Sequence, residues 1–337
     1  MIDYLIVGAG ITGATVARLL TDRGKRCLVV DKRDHIGGNC YDEPHEDYFI
    51  NKYGGHIFHT NNKEIWSFVN RFSRWVPYEH RVKAWYKGNV YSLPPNKLTL
   101  HQLGPLVSEQ HATAVIRQSF FAGYSFKQWG MDIDSLPGGV LARIPIRNDY
   151  DDRYFSDKYQ AMPKHGYTAW IENMLADVPC ALGVNWSPAA REIPGEQVIY
   201  TGSLDALYGY DYGRLPYRSL AWKTEFVSEG IGCATMNYTD YMPAYTRKME
   251  WQYFGHRQKP RKETAVTTEY PQAWDGTNHR VYPINTLENN ALHQRYAARA
   301  KAEGLLFAGR LATYRYMDMH QAIGNGMALV KKILNAP

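Results

Sequence analysis

Gly8, Gly10 and Gly13 follow the apolar run YLIV in G-x-G-x-x-G spacing, and Asp31 ends the next apolar run, RCLVVD. Residues of these types at this spacing can hold the phosphates and ribose of a dinucleotide. Gly8 permits a tight turn. Gly10 lets the backbone approach a pyrophosphate. Gly13 lets the following helix lie close to its strand. The helix start then turns free N–H groups and the positive end of its dipole toward phosphate charge. Asp31 offers acceptors to ribose hydroxyls. The strand before, the helix after and the acid at the second strand's end make this spacing specific.

The residues after Asp31 separate two kinds of dinucleotide. Lys32 opens KRDHIGGN, in which Gly38 and Asn39 follow Gly37. This stretch resembles the acid-x-Arg-x-x-x-Gly-Gly extension of a large FAD-binding superfamily, so the expected cofactor is FAD rather than NAD. In YFINKYGGHIFHT, His56 follows two glycines that allow close backbone approach to a flat group. A place beside a flavin is expected for it. Near the C-terminus the apolar run LLFAG leads into GRLATYRYMDMHQ, residues 309–321. Gly309 and Arg310 are expected to approach the cofactor. Asp318 is expected to open the last helix, with its N-terminus toward the ribityl and phosphate side. Flavin binding alone gives no reason for Tyr314, Arg315 and Tyr316 together. A substrate with phosphates and hydroxyls lying over the flavin would.

These residues need elements to hold them. A helix is expected from about Ile11, stopped by Gly24 in the left-handed conformation. Residues 62–72 read as a short helix with Ile65, Phe68 and Val69 on one side, and 80–94 as a hairpin around Lys87-Gly88-Asn89. Helical signals run over 97–128, divided by Pro105. Residues 136–167 read as extended strands and loops, with a mobile segment near Pro137–Gly139, and 168–176 as helix; whether all of 136–145 moves is not set by the sequence. Strand, glycine and helix start recur at 196–207, and 214–257 is β-rich. The fold class is therefore α/β: a Rossmann-like FAD-binding domain, a small helical insertion and a mainly antiparallel sheet domain. The expected division is 1–75, 196–216 and 303–337 for the discontinuous FAD-binding domain, 97–135 for the helical domain, and 76–96, 136–195 and 217–302 for the sheet and substrate domain.

Bulk properties narrow the partners. A chain of 337 residues is long for one compact core, which agrees with several subdomains. The net charge of +6 comes without a block of like charges, which argues against nucleic acid and suits a small acidic ligand. The cysteines, Cys27, Cys40, Cys180 and Cys233, form no Cys-x-x-Cys pair, so neither a metal site nor a redox pair is expected. No apolar run reaches the ~18 residues of a membrane span. A cytoplasmic location is expected.

The motifs GGHIFHT, HRVKAWYKGNVYSLPPN, YSFKQWG, RIPIRNDYDDRYFSDKYQ, YGRLPYRSL, NYTD, YTRKME, YPIN and GRLATYRYMDM run in this order across nearly the whole chain. In that order they closely resemble the UDP-galactopyranose mutase family. The resemblance implies an isomerase that interconverts UDP-galactopyranose and UDP-galactofuranose, for galactofuranose biosynthesis, with no net redox change. It implies reduced FAD as nucleophile: N5 attacks the anomeric carbon, UDP leaves, and a flavin–sugar iminium lets the ring open and contract before UDP returns. An external reductant would prime the flavin.

A leaving diphosphate calls for fixed cations, and arginine's fork suits that task. By motif, Arg143 resembles the loop arginine that closes onto the diphosphate. Arg247 resembles the arginine near both flavin and diphosphate, and Arg218 a further site arginine. Tyr154, Tyr282 and Tyr316 match tyrosines whose hydroxyls contact the phosphates. Phe120 and Tyr124 match the uracil platform, Trp129 a tryptophan lining the sugar site, and Asn237 an asparagine of the substrate pocket. His56 would lie against the flavin and help hold its reduced form.

The chain also departs from the family pattern. The stretch between SLPPN and FFAGYSFKQWG is short, so the helical domain that builds the family's dimer is trimmed; the family dimer does not carry over, and a monomer and another interface are both open. Lys164 and His165 stand where the family has small or apolar residues. Three other functions remain open. A mutase could act on another nucleotide sugar carrying N-acetylgalactose, arabinose or a deoxysugar. An amine-oxidase-like oxidoreductase would share the FAD motifs without needing the Arg143–Arg247 clamp. A non-catalytic nucleotide-sugar binder would bind without turnover.

Overall fold

In the computed structural model, which describes residues 2–104, 109–135, 146–187, 197–255 and 262–335, the run YLIV is the central strand, Tyr4–Val7, of a five-stranded sheet. Its neighbours are Cys27–Asp31 and Gln197–Tyr200, with Cys180–Leu182 and Leu306–Phe307 at the edges, and every pairing is parallel. A parallel sheet must be covered on both faces. On one face Ile6, Val29 and Ile199 pack with the helices Ile11–Thr21, Gly166–Met174 and Met319–Leu334. On the other, Val7, Val198 and Phe307 pack with Leu204–Leu207 and with Tyr296 and Ala300.

The first helix ends as its sequence implies. Gly24 sits at φ +75°, and the N–H groups of Gly24 and Lys25 donate to Thr21 and Leu20 at 2.9 and 3.1 Å. This left-handed cap satisfies carbonyls that the helix leaves open. The C-terminal helix crosses the first at close range. A Cβ on Gly326 would lie 3.3 Å from both the Thr12 carbonyl and Val16 Cγ2, so a small residue keeps the crossing tight.

The second sheet has seven strands, in the order Tyr282–Pro283, Tyr217–Val227, Thr264–Ala273, Arg247–Glu250, Thr235–Tyr238, Val82–Tyr86 and Asn89–Leu93. All pairs are antiparallel except Val82–Tyr86 with Thr235–Tyr238. The expected hairpin is therefore the sheet's edge. A three-stranded sheet of Phe58–Thr60, Tyr159–Pro163 and Trp75–Pro77 and a ribbon of Asp42–His45 with Tyr48–Asn51 complete the strands.

The helical layer comprises Lys97–Leu103, Glu109–Ile116, a wider π-helical turn Arg117–Ala122, and Gly123–Trp129. It is pinned to the second sheet by one ammonium. Lys127 Nζ donates to the carbonyls of Tyr238, Pro243 and Tyr245 at 2.9, 3.0 and 2.9 Å.

Two expectations change. Residues within 217–302, taken from sequence as sheet, include the helix Leu287–Ala302, which packs on the parallel sheet's side. Its apolar signal is thin: Leu287 is 92% exposed, and the helix buries only Tyr296 and Ala300. Within 136–195, the helix Gly166–Met174 and the strand Cys180–Leu182 join the parallel sheet rather than the substrate layer. A three-residue edge strand owes its place to pairing with Val29–Asp31 and not to its own hydrophobicity. The segment near Pro137–Gly139, expected to be mobile, lies outside the described residues, as does all of 136–145.

Candidate functional site

A cavity of about 720 Å³ opens between the two large sheets. Its first wall is backbone. A Cβ on Gly13 would lie 1.9 Å from the Gly8 carbonyl oxygen, and one on Gly8 (φ +114°) 1.9 Å from Thr201 Oγ1. Packing within the protein demands both glycines. Gly10 differs: its Cβ would meet nothing nearer than Gly38 Cα at 3.7 Å, ordinary contact. The space it leaves belongs to the cavity. No side chain caps the helix that begins at Ile11, so its first N–H groups remain available to an anion.

Every residue expected at the cofactor lines this cavity: Gly8, Gly10, Gly13, Asp31, Lys32, Gly38, Asn39, His56, Gly309, Arg310 and Asp318. Asp31 accepts from the N–H groups of Ala9 and Arg33 at 2.7 and 2.9 Å, which fixes its carboxylate beside the glycine turn. Arg33 reaches Asn39 Oδ1 at 2.9 Å and lies over the Tyr53 ring. The Gly309 N–H donates to Asn325 Oδ1 at 2.7 Å. Asp318 stands at the N-cap of the last helix, and its N–H donates to Gln321 Oε1 at 2.9 Å.

His56 is fixed in one tautomer. Its Nδ1 lies 2.8 Å from the Gly54 carbonyl, which can only accept, so Nδ1 carries the proton. Burial pushes its pKa down to about 4. The ring is therefore neutral at physiological pH, with an Nε2 lone pair to offer.

The second wall is made of side chains from the seven-stranded sheet. Asn237 and Arg247 sit opposite each other on adjacent strands. Arg247 donates to the Tyr124 hydroxyl at 2.9 Å, and its Nε lies 3.9 Å from Glu269 Oε1. Burial works against the guanidinium charge, but neighbours that include Tyr124 and the Glu269 carboxylate raise its pKa well above the ordinary arginine value. It stays charged. Arg247 Nε, Glu269 Oε1 and Asn237 Oδ1 are all buried without a hydrogen-bond partner. Such atoms are costly unless a ligand completes them. The Tyr282 and Tyr316 rings stack with centroids 5.8 Å apart, and Tyr154 lines the same wall.

Four expected substrate residues do not line the cavity. Tyr124 and Trp129 are one contact away, through Arg247 and through Tyr282 at 5.9 Å. Phe120 does not line the cavity. It is 2% exposed and packs against Tyr86 and Tyr91 in the core beneath the hairpin, not on a surface open to a base. Arg218 does not line it either. Its Nε and Nη2 donate to the carbonyls of Gln128 and Lys127 at 2.7 and 3.1 Å, and it caps the C-terminus of Gly123–Trp129. Those carbonyls attract a cation more steadily than a passing ligand does. Arg143 lies outside the described residues.

Some lining residues escaped the sequence. His80, 4% exposed, accepts or donates at 3.0 Å with the Tyr78 hydroxyl, and burial followed by Arg247 and His59 pushes its pKa down to about 3. It opens the hairpin motif, but nothing in the motif says that it turns inward. Glu269 and Arg280 also line the cavity. Glu269 sits in a strand and Arg280 in a polar loop, and neither has a spacing signal. His59, Asp318 and His320 offer ligand atoms within 4.8 Å of one another, a grouping a metal could use, although His59 Nδ1 is already 2.8 Å from Asp157 Oδ2.

Cations outnumber acids in the cavity lining: Lys32, Arg33, Arg247, Arg280 and Arg310 against Asp31, Glu269 and Asp318. Among the described residues, none of Lys32, Arg280 and Arg310 forms an ion pair. A glycine cradle with an open helix N-terminus and a buried arginine in the same cavity fit diphosphate-bearing ligands.

Comparison with known proteins agrees with this geometry. Residues 119–316 match the family model described as UDP-galactopyranose mutase, and residues 6–72 match an NAD(P)-binding Rossmann-like domain. The chain is 37% identical to a probable UDP-galactopyranose mutase of Klebsiella pneumoniae, over 99% of this chain and 95% of that one. It is 38% identical to a dTDP-fucopyranose mutase of Escherichia coli, over 96% of each. Among solved structures, a reduced UDP-galactopyranose mutase superposes with a TM-score of 0.77 at 13% identity, covering 99% of this chain and 94% of that one. A putative protoporphyrinogen oxidase from Exiguobacterium sp. 255-15 gives 0.66 at 12% identity, covering 98% of each, which extends the likeness of fold to another enzyme class.

Proposed function

The chain belongs to the UDP-galactopyranose mutase family and is an isomerase of that family, and we propose that it interconverts UDP-galactopyranose and UDP-galactofuranose with the help of a bound, reduced FAD. One observation carries the proposal. Arg247 is charged and buried in the cavity that the glycine cradle also lines, and its Nε, 3.9 Å from Glu269 Oε1, makes no hydrogen bond. An oxidoreductase acting on a neutral amine has no use for that group. A nucleotide-sugar diphosphate has.

FAD, when bound, supplies a nucleophile for the anomeric carbon and is regenerated without net redox change. The chain does the rest. Gly10 and the N–H groups of the first helix hold the cofactor's pyrophosphate, with Lys32 and Arg310 as counter-charges. Gly38, Asn39, Gly309 and Asp318 close around it. Arg247 stabilises the negative charge that builds on the departing diphosphate, and it costs no reorganisation because Tyr124 and Glu269 already fix it. The hydroxyls of Tyr154, Tyr282 and Tyr316 donate to the same phosphates, and Asn237 holds the sugar. Neutral His56 presents Nε2 as an acceptor to the flavin edge. Arg143 is proposed to close over the diphosphate. An external reductant primes the cofactor. No helix among the described residues is long and apolar enough to cross a membrane, which is compatible with a cytoplasmic site of action.

The test is turnover of UDP-galactofuranose by the purified protein with and without dithionite, with products separated by chromatography. Conversion only after reduction, with no reductant consumed per turnover, is expected. Bound FAD without conversion would remove the galactose assignment. The 38% identity to a dTDP-fucopyranose mutase favours one second reading, a mutase of dTDP-deoxysugars. Parallel assays with a dTDP-sugar pair separate the two.

A further inference from the structure

The loop after the strand Thr264–Ala273 leaves the second sheet and reaches the nucleotide-cradling half, where Gly276 and Arg280 join the cavity wall. Aromatic groups hold Arg280 there. Its guanidinium carbon lies 4.1 Å from the Trp274 ring centroid, and its Nη2 donates to the Tyr210 hydroxyl at 2.9 Å. Its Nε is buried and has no hydrogen-bond partner. No carboxylate pairs with it among the described residues.

Lys32 lines the same cavity, next to the acid that ends the second parallel strand. Its pKa is lowered, first by burial of the ammonium, then by Arg280 and then by Arg33. Both cations line one cavity, and Arg280 is among the charges that lower the Lys32 pKa, against Asp31, which raises it. Asp31 offsets part of the Lys32 charge, but no carboxylate pairs with Arg280 among the described residues, and a buried, unpaired guanidinium is unfavourable until an anion arrives. The residue before Lys32 locates the anion. An acid at this strand end marks the ribose of a dinucleotide's adenosine half, and the nearest negative charge on that half is its 5′-phosphate.

Given the FAD assignment of the preceding subsection, on which this rests, we propose that Arg280 is a cofactor-gripping residue that binds the phosphate of FAD's AMP half together with Lys32. The second sheet then contributes to cofactor retention as well as to the substrate wall. FAD ties the two sheets together through this loop.

The experiment uses holoprotein diluted at low and high salt, with release of FAD followed by recovery of free-flavin fluorescence, and with ADP and FMN as competitors. Arg280→Gln is expected to weaken FAD about tenfold, the worth of one charge-assisted hydrogen bond, and to weaken ADP by the same factor. FMN competition should not change. The salt dependence of FAD release should flatten. Arg280→Lys should recover part of the affinity and, should Arg280→Gln fail to fold, carries the same ADP and FMN comparison on its own. Arg214→Gln is the control. Arg214 lies over the same two rings, Tyr210 and Trp274, but does not line the cavity. Its loss should leave FAD and ADP affinity within about twofold. Unchanged ADP affinity in Arg280→Gln, an equal loss for FMN, or an equal loss in Arg214→Gln each overturns the proposal. A wild-type protein that binds neither FAD nor ADP removes the cofactor assignment itself, a different failure.

Discussion

The cavity has two walls made from different materials. The wall on the parallel sheet is mostly backbone: a glycine turn, a helix start and a second glycine pair, all within the first 40 residues. The wall on the antiparallel sheet is mostly side chains: His80, Asn237, Arg247, Glu269 and Tyr282, one or a few from each of several distant strands and loops. The first wall resists change at Gly8 and Gly13, where a Cβ would overlap protein atoms. The second works by charge and hydroxyl placement, so its members can be exchanged but not without leaving a buried partner exposed. Binding and chemistry should therefore fail separately when the two walls are altered.

The largest effect should come from Arg247→Ala. Turnover should fall by about 10²–10³, while flavin bound per chain stays unchanged. The same change leaves Glu269 buried and unpaired, so urea unfolding should show a loss of about 3–5 kcal/mol. If flavin content fell in step with turnover, the two walls would not be separable. Next come two glycines on the first wall. Gly13→Ala drives a Cβ into the Gly8 carbonyl and should prevent native folding. Gly10→Ala meets no protein atom closely, so the apoprotein should melt within about 2 °C of wild type while FAD affinity drops about tenfold or more. Equal damage from both would mean that the space at Gly10 is not reserved for a ligand.

A smaller effect concerns pH. Burial holds His56 and His80 at pKa values of about 4 and about 3, below the usual histidine value of 6.5. The unfolded chain takes up protons at higher pH than the folded one. Their contribution to stability is complete above about pH 6.5 and is lost as pH falls toward 4. Between about pH 7 and about pH 5 the loss should be on the order of 2 kcal/mol per histidine, read from urea midpoints. His80→Gln should flatten this dependence; an unchanged slope would show that His80 is not held neutral. The smallest effects should come from Arg218→Met and Phe120→Leu. As a helix cap and a core ring, they should cost about 1–2 kcal/mol of stability each and leave KM for the nucleotide sugar within about twofold. A hundredfold loss of turnover in Arg218→Met would return that arginine to the substrate wall.

Much of the first wall could be read in advance. Gly8, Gly10, Gly13, Asp31, Gly38 and Asn39 are close in sequence, and their spacing expresses a local backbone shape. The hairpin at 80–94 and the helix with Ile65, Phe68 and Val69 buried were legible for the same reason: periodicity and turn residues act over a few positions. The helix Leu287–Ala302 was not, because it covers the sheet with two buried side chains and exposes the rest. On the second wall, Asn237, Arg247, Tyr282 and Tyr316 were named through resemblance, not through any spacing of their own. His80, Glu269 and Arg280 carried no signal at all.

Arginine shows where that boundary falls. The sequence by itself determined that a dinucleotide-type cradle begins the chain, and that arginines and tyrosines accumulate in ordered motifs after it. It could not determine which cations are free. Arg218 is tied to two helix carbonyls, whereas Arg280 crosses from one sheet to the other and keeps an unpartnered Nε. The difference lies in what each guanidinium meets across the fold. A glycine's role is set by the backbone on either side of it, but a charge's role is set by its partners, and only the tertiary structure chooses those.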